Sequence, residues 1–156
     1  MYEARRDRWL VSDDPELIDL DVVHGELTRS YWSPGIPRET VARAIANSLC
    51  FGMYETSAGA VSMVGFARAI TDRASFAYLA DVFVLPHCRG KGLGTWMVER
   101  ALAHPDLQGL RRVCLMTRDA HGLYAKLGFA PMRDPSRYME IHRPQVYGAA
   151  AQTTGG

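Results

Sequence analysis

Phe76-Ala-Tyr-Leu-Ala-Asp-Val-Phe-Val-Leu-Pro86 runs straight into His87-Cys-Arg89-Gly-Lys-Gly92-Leu-Gly94-Thr-Trp-Met-Val-Glu-Arg-Ala-Leu-Ala-His104. The first half is rich in aromatic and β-branched residues and stops at a proline, so it reads as a strand. In the second half Leu93, Met97, Val98, Ala101 and Leu102 recur at helical spacing until Pro105. The turn between them carries Gly90, Gly92 and Gly94. Glycine adopts positive φ without strain and lets backbone N–H groups approach a ligand. The helix that follows offers free N–H groups and the positive end of its dipole, which bind phosphate. Arg89 and Lys91 add positive charge at the same rim, so this stretch predicts a phosphate or pyrophosphate site.

Two common phosphate loops do not fit. A P-loop needs Ser or Thr after Gly-Lys, whereas Gly92 follows Lys91. The dinucleotide fingerprint needs a glycine at its sixth position, which is Thr95 counted from Gly90 and Met97 counted from Gly92. The pattern that fits is Arg-x-x-Gly-x-Gly, filled by Arg89, Gly92 and Gly94. With the preceding Asp81-Val-Phe-Val-Leu-Pro86, and with Leu123-Tyr-Ala-Lys-Leu-Gly-Phe129 about thirty residues downstream, it resembles the GNAT superfamily of acyl-CoA-dependent N-acetyltransferases. The resemblance covers roughly residues 7–143.

Bulk properties set the frame. A chain of 156 residues suits a single domain with a real core. With 47% hydrophobic and 22% charged residues and a formal net charge of +1, the composition is that of a soluble globular protein, without the basic excess that nucleic acid or an anionic membrane would call for. No signal-type or membrane-spanning apolar run is present, so a cytoplasmic location is the default expectation. Cys50, Cys88 and Cys114 lie far apart with no Cys-x-x-Cys pair, which indicates neither a disulfide framework nor a metal site. Cys88, beside Arg89, is either an activated thiol or an incidental one.

Along the chain, Trp9–Val11 predicts a first strand, and Pro15 near a helix start predicts a helix running to about Thr28 with Leu17, Leu20, Val23 and Leu27 on its apolar stripe. His24 falls beside that stripe, either as a structural histidine or as a substrate contact. Arg29–Glu39 reads as an ordered loop, Arg38–Ser48 as a second helix, and Cys50–Tyr54 and Ala60–Ile70 as strands joined by a turn at Ser57–Gly59. After the central strand–turn–helix, Val113–Thr117 predicts a strand, Asp119–Leu127 a helix ending at Gly128, and Phe129–Met132 and Tyr138–His142 two last strands. Residues 144–156 have little to bury and predict a disordered tail behind a single domain of residues 1–143. The order β-α-α-β-β-β-α-β-α-β-β predicts an α/β (α+β) fold with helices on both faces. The resemblance sharpens this to a mixed, mostly antiparallel central sheet whose fourth and fifth strands, Phe76–Leu85 and Val113–Thr117, splay apart.

The resemblance further implies acetyl-CoA as co-substrate, held by the backbone of Val82, Phe83 and Val84, by Arg89, Gly90, Lys91, Gly92, Leu93, Gly94 and Thr95, and by Thr117 and Tyr124. A backbone N–H near Phe83 or Val84 would be the oxyanion donor. Tyr124 stands where the family has its general acid; a phenol with a reference pKa of about 10 stays protonated at neutral pH and can donate to a departing thiolate. An amine acceptor must lose its own proton, and Asp81, placed by strand alternation on the face of Leu79 and Phe83, is the first candidate for the base. A structural ion pair is its competing role, and a bulge in this strand would shift its facing. Tyr31 and Trp32 are either acceptor contacts or core plugs, and Tyr78 lines the same region. The family often has Asn six or seven residues before its tyrosine; Thr117 and Arg118 stand there instead. The function expected is acetyl transfer to a primary amine of a small molecule or peptide in a ternary complex, by a monomer or homodimer. The alternative is a non-catalytic acyl-CoA sensor.

Overall fold

In the computed structural model, which describes residues 1–148, the chain begins with a hairpin rather than a single strand. β1 (Glu3–Arg6) and β2 (Trp9–Ser12) pair antiparallel, with Asp7 at the turn in the left-handed region (φ 53°). Charged Glu3, Arg5 and Arg6 obscure β1 in the sequence because both of its faces are largely in water. The helix expected from Pro15 is split. Pro15–Leu17 forms a 3-10 turn capped by Asp14, and α1 (Leu20–Leu27) starts anew where the Asp19 carboxylate accepts from the N–H groups of Asp21 and Val22. α2 (Arg38–Ala46) follows Pro37, and β3 (Leu49–Ser57), β4 (Ala60–Thr71) and β5 (Phe76–Val84) form a meander. Then come α3 (Leu93–Leu102), β6 (Arg112–Cys114) and α4 (His121–Ala125).

Among the described residues six strands lie in chain order, antiparallel throughout except for the parallel β5–β6 pair. Each face of the sheet carries its own core. Trp9, Val11, Phe51, Leu79, Met97 and Val98 pack beneath α3 on one side, while Leu10, Val23, Leu27, Val41, Phe66 and Phe83 pack beneath α1 and α2 on the other. Strand alternation delivers both sets, and the fold class expected from the sequence is the one observed.

The C-terminal third departs from expectation. β6 ends at Cys114 instead of Thr117, and neither Phe129–Met132 nor Tyr138–His142 forms a strand. Pro131 and Pro135 lack donors, and Pro135–Arg137 coils into a 3-10 turn that interrupts any ladder. Met139 and Ile141 are left 91% and 83% exposed. Of the tail, residues 149–156 lie outside the described residues. Within the described part Tyr147 packs against the core under α1 and α2, a contact that the polar composition of residues 144–156 gave no reason to expect.

Candidate active site

β5 is the pivot of the site. Phe66 faces Phe83 and Arg68 faces Ala80, so the single residue Ala67 lies opposite both Asp81 and Val82. This is a β-bulge, and Asp81 occupies it with φ 55°. Asp and Asn tolerate that backbone better than other non-glycine residues. The extra residue breaks the alternation: Leu79 belongs to the α3-side core and Phe83 to the α1/α2-side core. The predicted common face of Leu79, Asp81 and Phe83 is therefore corrected by the bulge.

β5 also parts from β6. The two strands pair only at Phe76–Arg112, Ala77–Val113 and Tyr78–Cys114, and beyond Tyr78 no strand among the described residues lies beside that edge of β5. The backbone of Val82, Phe83 and Val84 thus faces an open wedge, the splay expected from the resemblance. At its mouth α3 begins. Gly90 (φ 78°) and Gly92 (φ 70°) take left-handed conformations, and no side chain caps the α3 N-terminus. A Cβ added at Gly94 would meet only the Val84 Cγ2, at 3.6 Å. Unpaired N–H groups behind two left-handed glycines form a cradle that suits a pyrophosphate. Leu93 is buried, anchoring this end of the helix, while Thr95 lies in its first turn. The Arg89 Nε donates to the Val84 carbonyl at 2.9 Å, tying the loop to the strand end. Lys91 places its ammonium 5.6 Å from the centre of the Trp9 ring.

On the far side of the wedge stands Tyr124. Its ring packs against the α3-side core and meets Phe129 edge-on, centroids 5.8 Å apart. Burial, with a smaller contribution from nearby Tyr31, pushes its phenol above the ordinary tyrosine range, so the acid form is the resting form. The Thr117 hydroxyl accepts from the Ala120 N–H at 3.0 Å and so shapes the turn leading into α4. Tyr78 is likewise raised, chiefly by burial.

The loop between α1 and α2 closes over this region. The Arg118 guanidinium stacks 3.8 Å from the centre of the Tyr31 ring, and the Tyr31 hydroxyl accepts from the Arg118 N–H at 3.3 Å. Tyr31 meets Trp32 edge-on, and the Trp32 Nε1 donates to Asp81 Oδ1 at 3.1 Å. Both aromatics are nearly half exposed, so they form a surface rather than a plug. The other Asp81 oxygen accepts from the Arg68 Nε at 2.8 Å, and Arg68 in turn donates from Nη1 to the Ser48 hydroxyl. The Asp81 and Arg68 side chains are only 9% and 15% exposed. Both oxygens of Asp81 are thus engaged, and its charge is balanced. His24 lies apart from this cluster, its Nε2 donating to the Ile36 carbonyl at 3.0 Å, which holds the loop to α1. Cys88 is buried under the α3-side core, and burial pushes the Cys50 thiol up to about 12.

The structure therefore brings together Tyr31, Trp32, Asp81, Val82–Val84, Gly90–Gly94 and Tyr124, and leaves His24 as a brace. Arg118 was noted in the sequence only as an occupant of the place where the family often has Asn, and Arg68 and Tyr147 were not singled out. Of these two, only Arg68 carried a signal there, as a lone cation in the apolar run Phe66-Ala-Arg-Ala-Ile70. Two cavities adjoin the cluster. One of about 100 Å3 lies between α1, α2 and the sheet and reaches Arg68, Asp81 and Tyr147. The other, about 1290 Å3, follows the outer edge of β6 past Thr117, His121 and Tyr124 to Tyr138, where the missing strands would have lain. Among the described residues no three His, Cys, Asp or Glu side chains cluster as metal ligands, and no helix is long and apolar enough to cross a membrane.

The arrangement matches known proteins. The acetyltransferase (GNAT) domain profile fits residues 47–131. A Gibberella zeae protein assigned to the acetyltransferases is 32% identical over 167 residues, spanning 94% of this chain and 93% of its own length. Serotonin N-acetyltransferase 2, chloroplastic, of Oryza sativa subsp. japonica is 35% identical over 129 residues, covering 80% of this chain and 64% of that protein. A crystal structure from Xanthomonas campestris assigned to the GNAT family superposes with a TM-score of 0.82 at 48% identity, over 89% of this chain and 96% of that one.

Proposed function

Because the chain belongs to the GNAT family of acetyltransferases, we propose that it moves an acetyl group from acetyl-CoA to a primary amine while both are bound. The observation that carries this reading is the β5–β6 splay, with the uncapped α3 N-terminus at its mouth and a half-buried Tyr124 phenol on its far wall. A protein that only sensed acyl-CoA would need the cradle but not the proton donor.

Acetyl-CoA, when bound, supplies an acyl carbon activated as a thioester and departs as a thiol. The α3 N-terminus with Gly90 and Gly92 binds the pyrophosphate. The open backbone edge at Val82–Val84 aligns the arm and supplies the N–H that steadies negative charge on the carbonyl oxygen. Tyr124 gives its phenolic proton to the leaving sulfur, and the proton that the attacking nitrogen sheds as the amide forms passes through water and restores the phenol. Asp81 acts as a positioning residue: held by Arg68 and Trp32, it fixes the bulge and ties the Tyr31–Trp32 loop to β5. No free carboxylate is then required as a base. An amine with a reference pKa of about 10.4 loses its proton more readily in an apolar, charge-balanced pocket, because burial disfavours its cationic form.

The test is release of free thiol from acetyl-CoA in the presence of amines, with an arylalkylamine first because the rice relative is by name a serotonin N-acetyltransferase. Tyr124→Phe is expected to lower kcat by 10²-fold or more with little change in the KM for acetyl-CoA. In the parent protein kcat should rise with pH as the bound amine deprotonates and fall only above about pH 10, because burial raises the Tyr124 phenol. An unchanged kcat in Tyr124→Phe would remove Tyr124 from the reaction. Failure of every amine tested, with acetyl-CoA bound, would favour the sensor.

A further inference from the structure

The larger cavity, at about 1290 Å3, exceeds the roughly 300–1,000 Å3 of small-molecule pockets and runs as a slot along the outer edge of β6. No strand among the described residues pairs with that edge, so its main-chain N–H and C=O groups are open to one. Phe129–Arg133 lines the slot as well. Val113 and Leu115 turn to the α3 side, where Tyr124 and Leu127 also pack, while Arg112 alternates to the other face. Charge in the slot is lopsided: Arg112, Arg133 and Arg137 line it against Asp134 as the one acid. Among the described residues none of these arginines is ion-paired, and neither is Glu140.

The same chain carries a segment that matches the slot. Tyr138-Met-Glu-Ile-His142 alternates as a strand does, with apolar Met139 and Ile141 on one side and Glu140 on the other. Met139 and Ile141 nevertheless stand almost wholly in water, with half-exposed Tyr138 beside them. Neighbouring apolar side chains so exposed mark a contact surface. The Pro135–Arg137 turn and the packed Tyr147 fix the two ends of this stretch, and none of Met139–His142 lines the slot of its own copy.

We infer that the protein is a two-fold dimer in which residues 138–142 of each copy enter the slot of the other and pair with β6 as a further strand. A two-fold axis fills both slots in one operation, because every copy offers one slot and one segment. Main-chain bonds to the β6 edge supply affinity, and the alternating side chains supply register. With Met139 and Ile141 turned toward Val113 and Leu115, Glu140 falls on the face of Arg112, so apolar meets apolar and the acid meets the surplus of arginine. A slip by one residue would reverse both matches. The slot continues past Thr117, His121 and Tyr124, so the segment from the second copy also forms a wall behind Tyr124.

Sedimentation velocity on the full chain tests it, at loadings from about 1 to about 100 µM. Neither acetyl-CoA nor an amine is present, so the outcome does not depend on the transfer reading. The expected result is a species of twice the chain mass that dissociates on dilution with a micromolar Kd. Ile141→Lys alters the segment and Met132→Lys alters the slot. Both side chains are exposed in a single copy, so both variants should fold, and each is expected to raise the dimer Kd tenfold or more. Chain of single mass at every loading, or a dimer that either folded variant leaves at the parent affinity, would overturn the inference. So would a single-mass parent whose resistance to urea falls in Ile141→Lys, since that would place the segment in the slot of its own copy.

Discussion

Asp81 concentrates the chemistry of the site in one residue. It has a left-handed backbone, sits in a bulge, is nearly buried, and balances a nearly buried arginine. Removing one partner of such a pair leaves an uncompensated charge, which costs about 3–5 kcal/mol. Asp81→Asn keeps a residue that tolerates φ 55° but removes the charge. Urea unfolding should show a loss of about 3 kcal/mol, while the folded variant acetylates amines within tenfold of the parent rate and keeps the acidic limb of its pH profile. Loss of activity beyond a hundredfold in folded protein, together with loss of that limb, would make Asp81 the base instead. The sequence marked Asp81 as a carboxylate among apolar neighbours, which is why it stood out. It could not name the partner, since Arg68 lies thirteen residues away and meets it only through the β4–β5 register. Tyr31 is a similar case: it was legible as a loop aromatic, yet its stacking on Arg118 spans 87 residues and has no local signature.

At the scale of elements, strand, glycine turn and helix were legible from Phe76 to Leu102, because period and punctuation are local properties. The resemblance supplied the splay, and the bulge explains how one β5 serves both cores and still opens an edge to a ligand. The far end of α3 is pinned differently. His104 is buried, its Nε2 donates to Asp13 Oδ2 at 3.1 Å, its Nδ1 accepts from the Asp106 N–H, and its ring meets Tyr2 and Phe51 edge-on. That one imidazole joins the first hairpin to the end of the helix whose start follows the left-handed Gly90 and Gly92. His104→Ala should cost about 3 kcal/mol in urea unfolding, from a packing void and a nearly buried Asp13 carboxylate that keeps the Tyr2 N–H on one oxygen but loses the donor to the other. A loss below about 0.5 kcal/mol would show that the pin contributes little.

Across the whole molecule, the sequence was least legible where strand-type residues meet prolines. Phe129–Met132 and Tyr138–His142 have strand composition, but β6 offers only three paired residues on its inner edge, and the segment turns at Pro135–Arg137 without joining it. Composition could not foresee this, because pairing depends on what the neighbouring edge presents. Nor could it foresee that Tyr147 would return to the core under α1 and α2. The two helical layers thus lie on separate cores: α3 and Tyr124 of α4 pack on one, and α1 and α2 with Tyr147 pack on the other. The claim that joins them is that the phosphates of acetyl-CoA sit on the α3 N-terminus, in the mouth of the splay. Titration calorimetry with acetyl-CoA, on the parent chain and on Gly92→Val, tests it most directly, since a β-branched residue is strained at φ 70° and crowds the cradle. The parent is expected to bind acetyl-CoA one-to-one with micromolar affinity, more tightly than ATP, and the folded variant at least tenfold more weakly. Equal affinity in folded Gly92→Val, or no preference for acetyl-CoA over ATP, would contradict it.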